Sequence, residues 1–135
     1  MVAIALPSSI KPSSDTILTR VQWGDTVILG QPVYLDSNTK YKVGAASSII
    51  TANVSAIAFS AGVDTDYGYI LSGSTIMTFV GTTFIIGDPY FLSATAGNIV
   101  PLADVLTGHY VTLLGIALSA TTIRLIITPT GYAHA

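Results

Sequence analysis

A block of this sequence occurs twice. Gly30-Gln31-Pro32-Val33-Tyr34-Leu35-Asp36 returns 57 positions further on as Gly87-Asp88-Pro89-Tyr90-Phe91-Leu92-Ser93. Val54-Ser55-Ala56-Ile57-Ala58-Phe59-Ser60-Ala61 returns 59 positions further on as Leu113-Leu114-Gly115-Ile116-Ala117-Leu118-Ser119-Ala120. Two blocks in the same order at nearly equal offsets suggest a pseudo-twofold β domain whose halves close one core, and not a solenoid, for which at least three repeats are expected. Each unit reads as Gly-x-Pro, a strand, a polar linker, an Ile-Ala-apolar-Ser strand and a further apolar strand. A proline that opens a strand removes no ladder hydrogen bond. The pseudo-repeats cover about 25–80 and 81–130 of a single β domain over 21–135.

The residue types inside the units are those of strands. Ile, Val and Thr dominate and fit a pleated, half-buried surface. Gly, Pro, Asp and Ser interrupt them every eight to twelve residues or so, the spacing of a sandwich or barrel. Strands are expected at Val27–Leu29, Pro32–Leu35, Val54–Phe59, Tyr67–Ser72, Thr75–Val80, Pro89–Leu92, Val111–Leu118 and Thr122–Thr128. No window carries a capped 3.6-residue period. Between Pro101 and Gly108, Ala103–Leu106 is the one expected short helix. The acidic residues are all Asp, which suits turns better than helices. The fold class is all-β, a compact sandwich or barrel built from two pseudo-repeated units.

Residues 1–20 differ in character and read as an extended N-terminal arm. Met1–Leu6 is apolar, and Pro7-Ser8-Ser9 and Pro12-Ser13-Ser14-Asp15 are rich in turn formers. Such an arm either adds a strand to a neighbour or frays.

Composition then limits the function. Half of the 135 residues are hydrophobic and 9% are charged, against about 25% charged in an average domain. With a mean hydropathy of +0.67, a domain this small has too little interior to hide its apolar side chains, so part of them is expected to lie against other subunits. No segment approaches the roughly 20 apolar residues of a spanning helix, and Met1–Leu6 is too short for a secretory leader. A transmembrane barrel is the remaining membrane alternative; the reading is that there is no membrane. Net charge is −2 with five basic residues spread along the chain, the wrong balance for nucleic-acid phosphate. Without cysteine there is neither a disulfide nor a thiol nucleophile.

No constellation asks for catalysis. His109 follows Gly108 in a turn and His134 lies 25 positions away, with no third ligand suggested by spacing. There is no Gly-x-Ser-x-Gly elbow and no phosphate loop. The expectation is no enzyme, no cofactor and no metal. Asp64, Asp66, Tyr67 and Tyr69 form the one candidate ligand loop, where alternate carboxylates beside two tyrosines would hold Ca²⁺ or a sugar; a turn followed by a strand with alternating Tyr is the plainer reading. Lys40 and Lys42 flank Tyr41 in a solvated hairpin. Trp23 is an interface anchor or a core residue. Arg124, inside the apolar stretch Ile123–Ile127, either faces solvent or needs a carboxylate partner, inside the chain or across a subunit interface. Ile4, Leu6, Ile10, Trp23 and Arg124 are the candidate interface residues.

The repeat blocks, with Gly87-Asp-Pro-Tyr-Phe-Leu-Ser-Ala-Thr-Ala-Gly97 and Leu114-Gly-Ile-Ala-Leu-Ser-Ala-Thr121, resemble phage capsid decoration (cement) and head-fibre-like proteins over about Asp25 to Thr128. The resemblance implies a small β-rich homotrimer on the outer surface of the virion head, made in the host cytoplasm, that clamps adjacent subunits of the major capsid protein. Tail-fibre and baseplate modules share similar punctuation, and a receptor- or glycan-binding module is the alternative it implies.

Overall fold

A computed structural model describes residues 4–134. Eleven strands are present among them: β1 (Ser9–Pro12), β2 (Ile17–Gln22), β3 (Pro32–Leu35), β4 (Tyr41–Val43), β5 (Ala56–Ala58), β6 (Tyr67–Ser72), β7 (Ile76–Val80), β8 (Pro89–Leu92), β9 (Ile99–Pro101), β10 (Tyr110–Ala117) and β11 (Thr122–Ala133). They form two antiparallel sheets packed as a sandwich. One sheet runs β2-β6-β5-β3-β4; the other runs β1-β7-β11-β10-β8-β9. Leaving β1 aside, the order of succession is the same in both sheets: the first strand of five, then the fifth, fourth, second and third.

The turn that opens each set also recurs. Gly30 donates its N–H to the Ala58 carbonyl (2.9 Å), and Ala58 returns a bond to Gln31 (2.9 Å). Gly87 and Ala117 do the same, with Ala117 bonding Asp88 (2.8 and 3.0 Å). Gln31 and Asp88 each close the turn onto the carbonyl three residues back, on Ile28 and Ile85. Both glycines sit at positive φ, +88° and +84°, where a side chain is strained. The expected strand at Val27–Leu29 is therefore a turn preceded by a single bridge from Val27 to Gly62. The expected helix at Ala103–Leu106 shrinks to a 3-10 turn at Leu102–Asp104, because Val105 is already extended at φ −75°, ψ 119°.

Three apolar layers result. The central one lies between the sheets, with Met77, Phe79, Tyr90, Leu92, Leu114, Ile123 and Leu125 facing Ile57 and Leu71. Strand alternation supplies it: in β7, Met77 and Phe79 point inward while Ile76, Thr78 and Val80 do not. Phe84 packs edge-on to Tyr90, with ring centroids 5.0 Å apart, and the buried Tyr90 hydroxyl accepts the Ile85 N–H (2.8 Å). The outer face of each sheet carries a smaller cluster. Trp23, Val27, Val33, Ala58 and Ile70 form one; Phe91, Val100 and Val105 form the other.

The N-terminal segment corrects the expectation of a reaching arm. β1 is the edge strand beside β7, with Ile10 opposite Phe79. Ahead of it, Ile4 donates to the Ile99 carbonyl (3.0 Å) and Ser8 to that of Val80 (2.8 Å), and Thr82 Oγ1 donates to the Ala5 carbonyl (2.8 Å). Apolar side chains at Ile4, Leu6 and Ile10 find enough core on their own chain to hold the segment down. Residues 17–20, also assigned to the arm, belong to β2, which pairs with β6 along its whole length.

Asp15 ties this region together. Its carboxylate accepts hydrogen bonds from Ser13 and from the buried Thr75 hydroxyl (2.7 Å), and these bonds, Ser13 first, hold the carboxyl below its ordinary 3.8. Asp36, bonded by the Lys40 and Asn38 N–H groups at the β3–β4 turn, is lowered too, the Lys40 bond contributing most. A depressed folded-state value means stability that is complete above the unfolded value and lost as pH falls through the folded one. Urea midpoints are therefore expected to hold down to roughly pH 5 and to fall below about pH 4. Thr75→Val should flatten that fall; an unchanged acid slope in the variant would show that the Thr75 bond does not set it.

Candidate interaction surface

Most of the residues singled out from the sequence are occupied within the fold. Ile10 and Trp23 are buried, and Ile4 and Leu6 are partly buried against the central core, so the side chains expected to meet another subunit are used on this chain instead. Trp23 serves the core of its own chain, where Val21, Val27, Val33, Tyr41 and Ile70 enclose it. Arg124 is exposed. On the outer face of its sheet it stands between Ile76 of β7 and Ile116 of β10, and its charge acts weakly on Asp15.

The Asp64–Tyr69 loop divides its groups among separate tasks. The Asp64 carboxylate lies 3.7 Å from Lys40 Nζ. The Asp66 carboxylate accepts the Val63 N–H (3.1 Å), closing a turn in which Thr65 takes φ 76°. The two carboxylates do not converge, and no group of three or more metal-ligating side chains exists among the described residues. Tyr67 and Tyr69, two apart on β6, are both exposed, and the Arg20 guanidinium covers the Tyr67 ring at 4.5 Å.

Apolar side chains are uncovered at Ile17 and Leu18 of β2 and also at the two ends of the β10–β11 hairpin. Beside its closed end, the 84–87 loop is fixed by bonds from Phe84 to the Ala120 carbonyl and from Gly87 to that of Ala117. This presents Ile85 and Ile86 at 63% and 71% exposure, next to a half-uncovered Leu118. Beside its open end, the Ser48–Thr51 turn, pinned by the Thr51 hydroxyl on the Ala45 carbonyl (2.7 Å), presents Ile49 and Ile50 at 52% and 70%. Those two side chains, with Leu35, Ala52, Tyr110 and Pro129, line an open groove of about 460 Å³. β10 has eight residues, so at about 3.3 Å per residue the two apolar ends stand on the order of 25 Å apart.

Sequence reasoning did not find these isoleucines. Ile85-Ile86 precedes a repeat block and Ile49-Ile50 lies in its linker, and adjacent apolar residues beside a glycine or in a Ser-rich turn were the available signal. No helix among the described residues is long and apolar enough to cross a membrane. Compared with protein-family models, with curated proteins and with solved structures, the chain matches none.

Proposed function

We propose that the protein is a structural decoration (cement) module that binds the outer surface of a phage-like head as a homotrimer and stabilises it by bridging subunits of the major capsid protein. The observation that carries this reading is the pair of apolar ends on the β10–β11 hairpin. Isolated exposed apolar residues are ordinary, but Ile85-Ile86 and Ile49-Ile50 each form a doublet held out on a hydrogen-bonded turn, at opposite ends of one stiff element. A clamp needs that layout, with two separate contacts on a rigid span. The resemblance of the repeat blocks to decoration proteins supports the choice of a capsid as the larger partner. Binding would rest on buried apolar area, with a useful bridge covering about 1,000 Å² or more per contact.

Co-sedimentation of the purified chain with cognate empty heads tests this, paired with light scattering of the free protein. Saturable binding by a trimer and heads that survive higher temperature are the expected results. Ile50→Asp and Ile86→Asp, both at exposed positions, should leave the melting temperature within a degree or two while lowering head affinity at least about tenfold. Absence of binding to heads would remove the proposal.

The exposed Tyr67 and Tyr69, with Arg20 over one ring, favour a second reading as a receptor- or glycan-binding module of a tail fibre. A glycan array on which Tyr69→Ala abolishes the signal would support it over the first.

A further inference from the structure

The antiparallel register of β10 and β11 brings together two residues that stand 25 positions apart. Tyr110 is opposite Ala133, and one step further His134 donates its N–H to the His109 carbonyl (2.7 Å) while Gly108 donates to the His134 carbonyl (2.8 Å). His109 and His134 are therefore direct cross-strand neighbours. Gly108 and His109 stand together opposite His134, a two-to-one bulge at the mouth of the hairpin that sets the two histidines side by side. In both rings the Nδ1 atom is shut off from solvent and has no hydrogen-bond partner among the described residues. Enclosed nitrogens are ordinarily satisfied, and two orphans on facing residues point to one missing partner.

We infer that His109 and His134 together chelate a borderline divalent transition-metal cation. Neutral imidazole nitrogens are lone-pair donors suited to Cu²⁺, Ni²⁺ and Zn²⁺ and not to Mg²⁺ or Ca²⁺. A cation shared by the two rings would give both Nδ1 atoms a partner at once. With only two protein ligands, affinity follows the intrinsic order of the metals, so Cu²⁺ binds more tightly than Zn²⁺. The cation also ties His134 to the turn before β10 at the open end of the hairpin. This assignment does not depend on what the protein binds through its apolar ends.

The test is calorimetric titration of the full chain, prepared without a histidine tag, with CuCl₂, ZnCl₂ and MgCl₂. One Cu²⁺ per chain is expected, with weaker Zn²⁺ uptake and no Mg²⁺ uptake. His109→Ala and His134→Ala should each lower Cu²⁺ affinity by at least about tenfold. Electron paramagnetic resonance of the unsubstituted chain at one equivalent of Cu²⁺ should show coupling to two nitrogens, a readout that stands even if a variant fails to fold. No saturable Cu²⁺ uptake, uptake undiminished in both variants, or a spectrum lacking two coupled nitrogens would overturn the inference.

Discussion

Replacing Trp23 by alanine is expected to destabilise the protein by about 3–5 kcal/mol, the range for truncating a large buried aromatic. The side chain is fully buried and is the largest member of the cluster on the outer face of the β2–β6 sheet. Its backbone also holds that face shut: the Trp23 N–H donates to Asp66 and its carbonyl accepts from Thr65 (2.8 and 2.9 Å). A domain has only about 5–15 kcal/mol in total, so the alanine variant should unfold at much lower urea and sit near half-folded at elevated temperature. Trp23→Phe should cost markedly less. It keeps most of the apolar volume and removes an indole N–H that is buried without a partner among the described residues, a group whose burial is itself unfavourable. Equal losses for the two variants would overturn this account, because the apolar volume retained by phenylalanine would then contribute nothing at this position.

The second large effect runs against the repeat. Aligned block to block, Gly115 corresponds to Ala56, so alanine at 115 would make the two units more alike. It should nevertheless destabilise by about 1–3 kcal/mol or more, the cost of forcing atoms into a filled space. A Cβ at Gly115 would stand 2.3 Å from the Arg124 carbonyl oxygen and 2.9 Å from Ile123, and the first of these is backbone that cannot swing aside. The register slips between Leu113 and Gly115 on both flanks of β10, and at such an irregularity neighbouring strands approach more closely than in a regular ladder. Ala56 lies in the short, regular β5, where its methyl group is accommodated in the core. Chemical denaturation of Gly115→Ala, with Ala56→Gly as the counterpart, checks the asymmetry. A Gly115→Ala variant as stable as the parent would mean that β10 relaxes to admit a methyl group.

How much of this was legible in the sequence depends on how local the cause is. Strand composition and turn residues act within a few positions, so Pro32–Leu35, Tyr67–Ser72 and Pro89–Leu92 could be placed to the residue. β2 was not, because its residues are exposed or half-buried throughout and show no clean alternation; its strand state comes from pairing with β6, some 50 residues further on. β1 was missed for a similar reason, since a Ser-Ile-Lys-Pro stretch has weak strand propensity and is held by β7.

By itself, then, the sequence determined the all-β class and the position of several strands, since opening prolines and β-branched runs act through local sterics. The tertiary structure alone decided the rest: the folding-back of residues 4–12, the burial of Trp23, the closed space at Gly115, the two apolar ends and the meeting of His109 with His134. Each of these is a consequence of register between strands distant in the chain. Register is chosen by the cooperative burial of a whole face, and no single stretch of residues encodes that choice.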